Sequence, residues 1–118
     1  MKTAITSSGD ELTAQFDKRF GRSAWFCLYD DKNGATTFHK NAYADAPHGA
    51  GTMVAEKLAE LNVQKIISGD FGHKAKEQLD KLNIQMVIVQ DDNYTVQDII
   101  NKLNKDPGKK KGRYTWAL

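Results

Sequence analysis

With 118 residues, 40% of them hydrophobic, the chain suits one domain that buries roughly two-thirds of its unfolded surface without help from disulfides. The single cysteine, Cys27, excludes an internal bridge, and the chain has neither a charged-then-apolar leader nor an apolar run near the ~18 residues that would cross a bilayer. The net charge of +2 is unevenly placed, because Lys105, Lys109, Lys110, Lys111 and Arg113 face Asp106 alone and leave the remainder slightly acidic. That distribution argues against a basic nucleic-acid-binding domain, and the whole predicts a soluble cytoplasmic protein with no membrane partner.

Taken in chain order, residues 1–6 read as a strand and are followed by a long polar loop. Residues 23–30 form a second apolar strand, "DKNG" a turn and residues 35–40 a third strand, because Asn33-Gly34 is a strong short-range hairpin signal. An internal echo follows. "EKLAELNVQKIIS" and "EQLDKLNIQMVIV" agree at six of thirteen positions, 21 residues apart. Each reads as helix end, turn, buried strand. Val54, Ala55, Leu58 and Leu61 share one helical face, as do Ala75, Leu79 and Leu82. Asn62 and Asn83 stand where a left-handed helix-terminating residue is wanted. Residues 63–67 and 84–89 are short runs rich in β-branched side chains, suited to parallel strands covered on both faces.

A third helix over residues 96–103 places Val96, Ile99, Ile100 and Leu103 on one stripe, with Thr95 as its N-cap. "DPGKKKG" then breaks the pattern. The expected organisation is a single α/β domain over residues 1–104 and a basic, flexible tail over residues 105–118. Within the domain, three early strands followed by alternating helices and strands predict a five-stranded, mostly parallel sheet.

If the second strand runs back against the first, the chain leaves one edge of the sheet four times, through residues 7–22, 41–51, 69–73 and 91–94. Ligands of open α/β sheets bind outside the carboxyl ends of the strands. Three of these loops carry suitable chemistry. "RFGR" offers the guanidinium forks of Arg19 and Arg22 around Gly21. "PHGAG" supplies His48, Gly49 and Gly51, and "GDFGH" supplies Asp70, Gly72 and His73, at helix starts whose unpaired N–H groups attract anions. These nine residues are the expected binding set.

No metal ligand follows from the residues alone, since the histidines lack a paired spacing. Surface or capping roles also suit them, and solvated loop positions suit the arginines. Cys27, inside a strand, reads as a small core hydrophobe.

The pieces "KTAITS", "RFGRSAWFCLYD", "PHGAGTMVAEKLAELNVQKIISGDFGHKA" and "LNIQMVIV" together resemble the dinitrogenase iron-molybdenum cofactor biosynthesis family, which includes NifX-like carriers and small stand-alone nitrogenase accessory factor-like proteins. They occur in the family's order and span about residues 1–103. The resemblance implies a ribonuclease-H-like motif, a mixed sheet of order 3-2-1-4-5 with strand 2 antiparallel and helices on both faces. It also implies a non-catalytic binding or carrier protein for an anionic metal-sulphide cluster, molybdenum/iron or molybdenum/copper, exchanged with donor or acceptor proteins by a monomer or homodimer.

Nitrogenase-linked members often carry a histidine directly before the Phe-Gly step. Arg19 stands there in this chain, and a guanidinium is not an ordinary metal ligand, which points to the stand-alone branch.

Two other readings compete. A ribonuclease-H-like nuclease needs clustered carboxylates, one of them on the first strand, and "MKTAIT" has none. A sensor of small anions, nucleotides or a partner protein would use the same arginines and amides, although neither glycine turn matches a P-loop or dinucleotide fingerprint.

Overall fold

In a computed structural model of the chain, residues 1–105 and 113–116 are described, with the side chains of Arg113 and Tyr114 excepted. The strands are β1 (Lys2–Ser7), β2 (Trp25–Asp30), β3 (Thr36–Lys40), β4 (Val63–Ser68), β5 (Gln85–Ile88) and β6 (Arg113–Thr115). The helices are α1 (Ala50–Glu60), α2 (His73–Lys81) and α3 (Val96–Lys105). The sheet order is β3-β2-β1-β4-β5-β6.

β1 and β2 pair antiparallel with Ile5 opposite Cys27, and β2 and β3 pair antiparallel with Cys27 opposite Phe38. β1–β4, β4–β5 and β5–β6 are parallel. The five expected strands therefore stand in the expected order, with β2 reversed.

One correction concerns the C-terminal end. Part of the expected tail is a sixth strand that pairs with β5, Val87 opposite Tyr114, and Trp116 beyond it is buried with its backbone N–H donated to the Ile88 carbonyl at 2.8 Å. The lysine run at 109–111 lies outside the described residues.

The alternation of each strand divides its side chains between two apolar layers. Ala4, Phe26, Leu28, Ile66 and Met86 face α1 and α2, whose Val54, Leu58 and Leu79 pack onto them. Ile5, Cys27, Ile67 and Val87 face α3, whose Val96, Ile99, Ile100 and Leu103 complete the second layer together with Trp116. Each fully buried Leu or Ile contributes about 1.5–3 kcal/mol relative to exposure, so the two layers rather than helix propensity hold the helices in place.

The echoed segments end as their asparagines predict: Asn62 and Asn83 have φ of 64° and 57°, and each turns a helix directly into β4 or the approach to β5. The hairpin is also as expected, with Gly34 at φ 73° and its N–H donated to the Asp30 carbonyl at 2.8 Å.

Burial in the α3-facing layer pushes the Cys27 thiol up to about 12 from its ordinary 9.0. It is therefore an unreactive core group. Among the described residues no helix is long and apolar enough to cross a membrane.

Candidate functional site

With β2 antiparallel and the other strands parallel, the carboxyl ends of β1, β3, β4 and β5 share one edge. The loop at 8–24, polar in sequence, runs across that edge as a belt, and its backbone bonds to every other exit. Phe16 N–H donates to the Tyr94 carbonyl (2.8 Å), and Val96 N–H donates to the Ala14 carbonyl (2.9 Å). Phe20 N–H donates to the Asp70 carbonyl (3.1 Å), and Gly69 N–H to the Lys18 carbonyl (3.1 Å). Asn41, at the end of β3, donates its side-chain amide to the carbonyls of Gly21 (3.0 Å) and Ser23 (2.8 Å). Beneath the belt Thr6 and Ser68 share a buried hydroxyl contact of 2.7 Å, and the Thr6 hydroxyl also donates to the Asp17 carbonyl.

The three glycine-bearing loops meet by close backbone approach. A Cβ on Gly21 would lie 2.8 Å from the Gly51 nitrogen and 3.0 Å from its Cα, and a Cβ on Gly51 would lie 3.0 Å from Cβ of Ala75. The first turn of α1 is thus held between the "RFGR" loop on one side and Ala75 in the first turn of α2 on the other, and Phe20 stacks on Phe71 with ring centroids 5.0 Å apart. Gly21 and Gly51 work in this packing. Gly49 and Gly72 are exposed, with φ of 69° and 78°, and nothing lies within 4 Å of a Cβ built on Gly72.

Both helices begin without a capping side chain. Gly49 and Gly72 are the N-caps, neither makes a side-chain cap hydrogen bond, and neither first turn contains an acidic residue. The leading N–H groups of an α-helix carry a partial positive charge that a capping oxygen, water or ligand must meet. Two such ends side by side favour an anion in front of them.

The charged side chains are committed differently from their expected roles. Arg19 is exposed, but it grips Asp17 through Nε (3.1 Å to Oδ1) and Nη2 (2.9 Å to Oδ2). The Asp17 side chain is only 9% exposed. This hydrogen-bonded charge pair raises the Arg19 pKa further, so the guanidinium stays cationic while its charge is largely matched.

Arg22 turns away to donate Nη1 to the carbonyls of Ala44 (3.0 Å) and Ala46, fixing the loop that leads into α1. His48 is exposed at the α1 start, while His73 places Nε2 2.9 Å from Oε1 of Glu77, an ion pair when the imidazole is protonated. Asp70 is exposed and aligned beside Arg19 by a backbone bridge. Among the described residues no group of three or more His, Cys, Asp or Glu side chains is arranged to hold a metal ion.

The chain matches the profile of the family described as dinitrogenase iron-molybdenum cofactor over residues 1–106. It belongs to that family. The iron-molybdenum cofactor family match thus includes the belt, both bare helix starts and all nine expected site residues.

Among solved structures the chain is similar to the apo form of the orange protein from Desulfovibrio gigas, at 28% identity and TM-score 0.82, with 88% of this chain and 87% of that chain covered. It is similar also to TM1290 from Thermotoga, described as belonging to the DUF35 family, at 30% identity and TM-score 0.76, with 88% and 87% covered. The crystal structure of PH0822 shares the fold at 20% identity and TM-score 0.71, with 87% and 89% covered. No curated relative matches the chain.

Three features of the family's edge in this chain were not among the expected site residues. Lys18 is exposed, and its Cβ is the nearest atom, at 2.5 Å, to a Cβ built on Gly69, which sets its side chain beside the 69–72 turn. Lys74 is exposed in the first turn of α2. Asn41 is the belt's side-chain tether. Lys18 adjoins "RFGR" and Lys74 adjoins "GDFGH", so adjacency to those motifs was the available signal for the lysines; Asn41 had none.

Proposed function

We propose that this protein is a non-catalytic carrier that holds an anionic metal-sulphide cluster at the carboxyl edge of its sheet and exchanges it with donor or acceptor proteins. The observation that carries this reading is the pair of bare helix starts, Gly49–α1 and Gly72–α2, joined by the Gly21–Gly51–Ala75 contact and free of first-turn acids. Membership of the iron-molybdenum cofactor family supports it. So does the similarity to a protein solved in an apo form, a term that implies a ligand-bound counterpart.

A cluster with several anionic sulphides suits such a surface, because oriented amides and nearby cations hold spread negative charge without a chelating cage. In this reading the amides at Gly49 and Gly72 are the principal holders, with Lys18, Lys74 and the free edge of Arg19 around them. His48 and His73 flank the two starts, and Asp70 bounds the site on the belt side. Gly21, Gly51 and Arg22 act by shaping it. Arg19, where nitrogenase-linked members often have histidine, favours electrostatic holding over direct ligation.

The test is anaerobic reconstitution of the full chain with tetrathiomolybdate and either ferrous or cuprous ion, followed by gel filtration and metal analysis. Molybdenum co-eluting with the protein at a fixed ratio, with a visible charge-transfer band, is expected. Protein that elutes free of metal and without that band overturns the reading. Thermal stabilisation by phosphate or nucleotides alone, with tetrathiomolybdate inert, favours the anion-sensor alternative.

A further inference from the structure

A cavity away from the bare helix starts opens between α1 and the end of β3. Val54, Lys57, Leu58 and Leu61 recur at the spacing of one helical stripe, and all of them line it. Its floor is Phe26, Val54 and Leu58, all buried, and its walls are the half-buried Tyr43 and Leu61. The volume is about 310 Å³, at the small end of the range for small-molecule sites. The Tyr43 wall is fixed by the chain itself. Its N–H donates to the Asn41 side-chain oxygen at 2.9 Å, and Arg22 grips the carbonyls of Ala44 and Ala46 further along the same loop.

The charge of the cavity is one-sided. Among the described residues no Asp or Glu lines it. Lys57 lies on the apolar stripe, and among the described residues no ion pair or hydrogen bond engages its ammonium. Lysine stems cover apolar surface while the ammonium keeps to the water, which puts this charge at the mouth. Lys40 also lines the rim, but alternation along β3 turns it to the face of Trp25, its cross-strand partner, and leaves His39 on the face of Phe26. Lys57 is therefore the cation on the cavity's own face. The adjoining hollow toward the hairpin carries Asp30 as well as Lys2, so the unmatched positive charge belongs to the cavity.

We propose that this cavity is a binding site for a small monocarboxylate with an apolar ring or branched chain. The apolar body displaces water from over Phe26 and Leu58, and the carboxylate stays at the mouth, paired with Lys57. A single ammonium matches a single negative charge. A phosphate needs further donors, and the Asn41 amide that could supply them is already committed to the Gly21 and Ser23 carbonyls. Neither Gly49 nor Gly72 lines the cavity, and the inference does not depend on what the carboxyl edge carries.

The experiment titrates the isotope-labelled full chain, without metal, with hydrocinnamate and with hydrocinnamyl alcohol, which keeps the ring and lacks the charge, followed by amide NMR shifts. Saturable shifts centred on residues 41–43 and 54–61 are expected from both, with hydrocinnamate bound about three- to tenfold more tightly, as one charge-assisted contact at a partly solvated site contributes. Lys57→Met, at an exposed position, keeps the stem and removes the charge. Its ligand-free spectrum should match the parent's away from the substitution. Its affinity for hydrocinnamate should fall to that for the alcohol, and its affinity for the alcohol should not change.

Absence of saturable shifts at millimolar ligand, equal binding of acid and alcohol by the parent, undiminished hydrocinnamate binding by Lys57→Met, or shifts centred on Gly49 and Gly72 would overturn the proposal. Concentration-dependent shifts of the cavity residues in ligand-free protein would also overturn it, since they would assign the cavity to a second copy. The assay contains no metal, so failure here and failure of cluster retention are read separately.

Discussion

α3 begins behind a closed pair of hydrogen bonds. Asp98 N–H donates to the Thr95 hydroxyl at 3.1 Å, and Thr95 N–H donates to the Asp98 carboxylate at 2.9 Å. α1 and α2 begin behind glycines whose side chains offer nothing. All three helices start from the same edge of the same sheet, so their exits alone do not explain the difference. An N-cap oxygen contributes about 1 kcal/mol, and two of the three starts go without it. The two uncapped starts are also those pressed together by glycine contacts, the arrangement on which the proposed anion site rests.

The largest effect should come from breaking the glycine contact. Gly21→Val puts a branched side chain 2.8 Å from the Gly51 nitrogen, a backbone atom that moves only if α1 moves. A loss of about 3 kcal/mol or more is expected, read by urea denaturation, and tetrathiomolybdate retention should be lost in the fraction that stays folded. Breaking the capped start separates stability from holding: Thr95→Ala should cost about 1–2 kcal/mol and leave retention unchanged.

Supplying α2 with the charge its start lacks should do the reverse. Lys74→Glu is expected to stabilise the helix by about 0.3–1 kcal/mol while reducing the metal retained after gel filtration. Equal retention would remove the α2 start from the site. Arg19→Ala should cost about 1 kcal/mol, because it takes two charge-assisted hydrogen bonds from an Asp17 side chain that is only 9% exposed, and should lower retention less than Lys74→Glu, because Asp17 already occupies much of its charge.

Cys27 belongs to neither kind of start and serves as a control. Its thiol is raised to about 12 by burial. Its contribution is therefore fully present below the unfolded value near 9 and lost as pH climbs toward 12. Cys27→Ala should flatten the alkaline decline seen by urea denaturation at pH 8 and 10.5, with no pH-dependent difference from the parent at neutrality.

The fold was legible wherever a local signal agreed with a buried face. Asn62 and Asn83 announced the left-handed turns, Asn33-Gly34 the hairpin, and the apolar runs at 63–67 and 84–89 the parallel strands. β6 was not legible, because a basic, glycine-containing segment reads as a tail and its pairing with β5 is a tertiary event.

The site was half legible. Glycine placement located the bare starts, but the partners of Arg19 and Arg22 depend on loop conformation. Neither the Asp17 pair nor the Ala44 and Ala46 carbonyls can be inferred from residue spacing. Likewise, the polar composition of the 8–24 loop concealed a segment with backbone bonds to three other exits.

The strand order also bears on how the chain folds. β1 is paired on one side with β2 and on the other with β4, where Lys2 meets Val63. The β2–β3 hairpin closes a short turn and forms early and β1 joins it across the 8–24 loop, whereas the β1–β4 pairing must wait until α1 has been made. During synthesis the inner edge of β1 is therefore open until β4 emerges. Ala4 and Ile5, among the most buried residues of the finished protein, are then the ones exposed longest to another nascent chain.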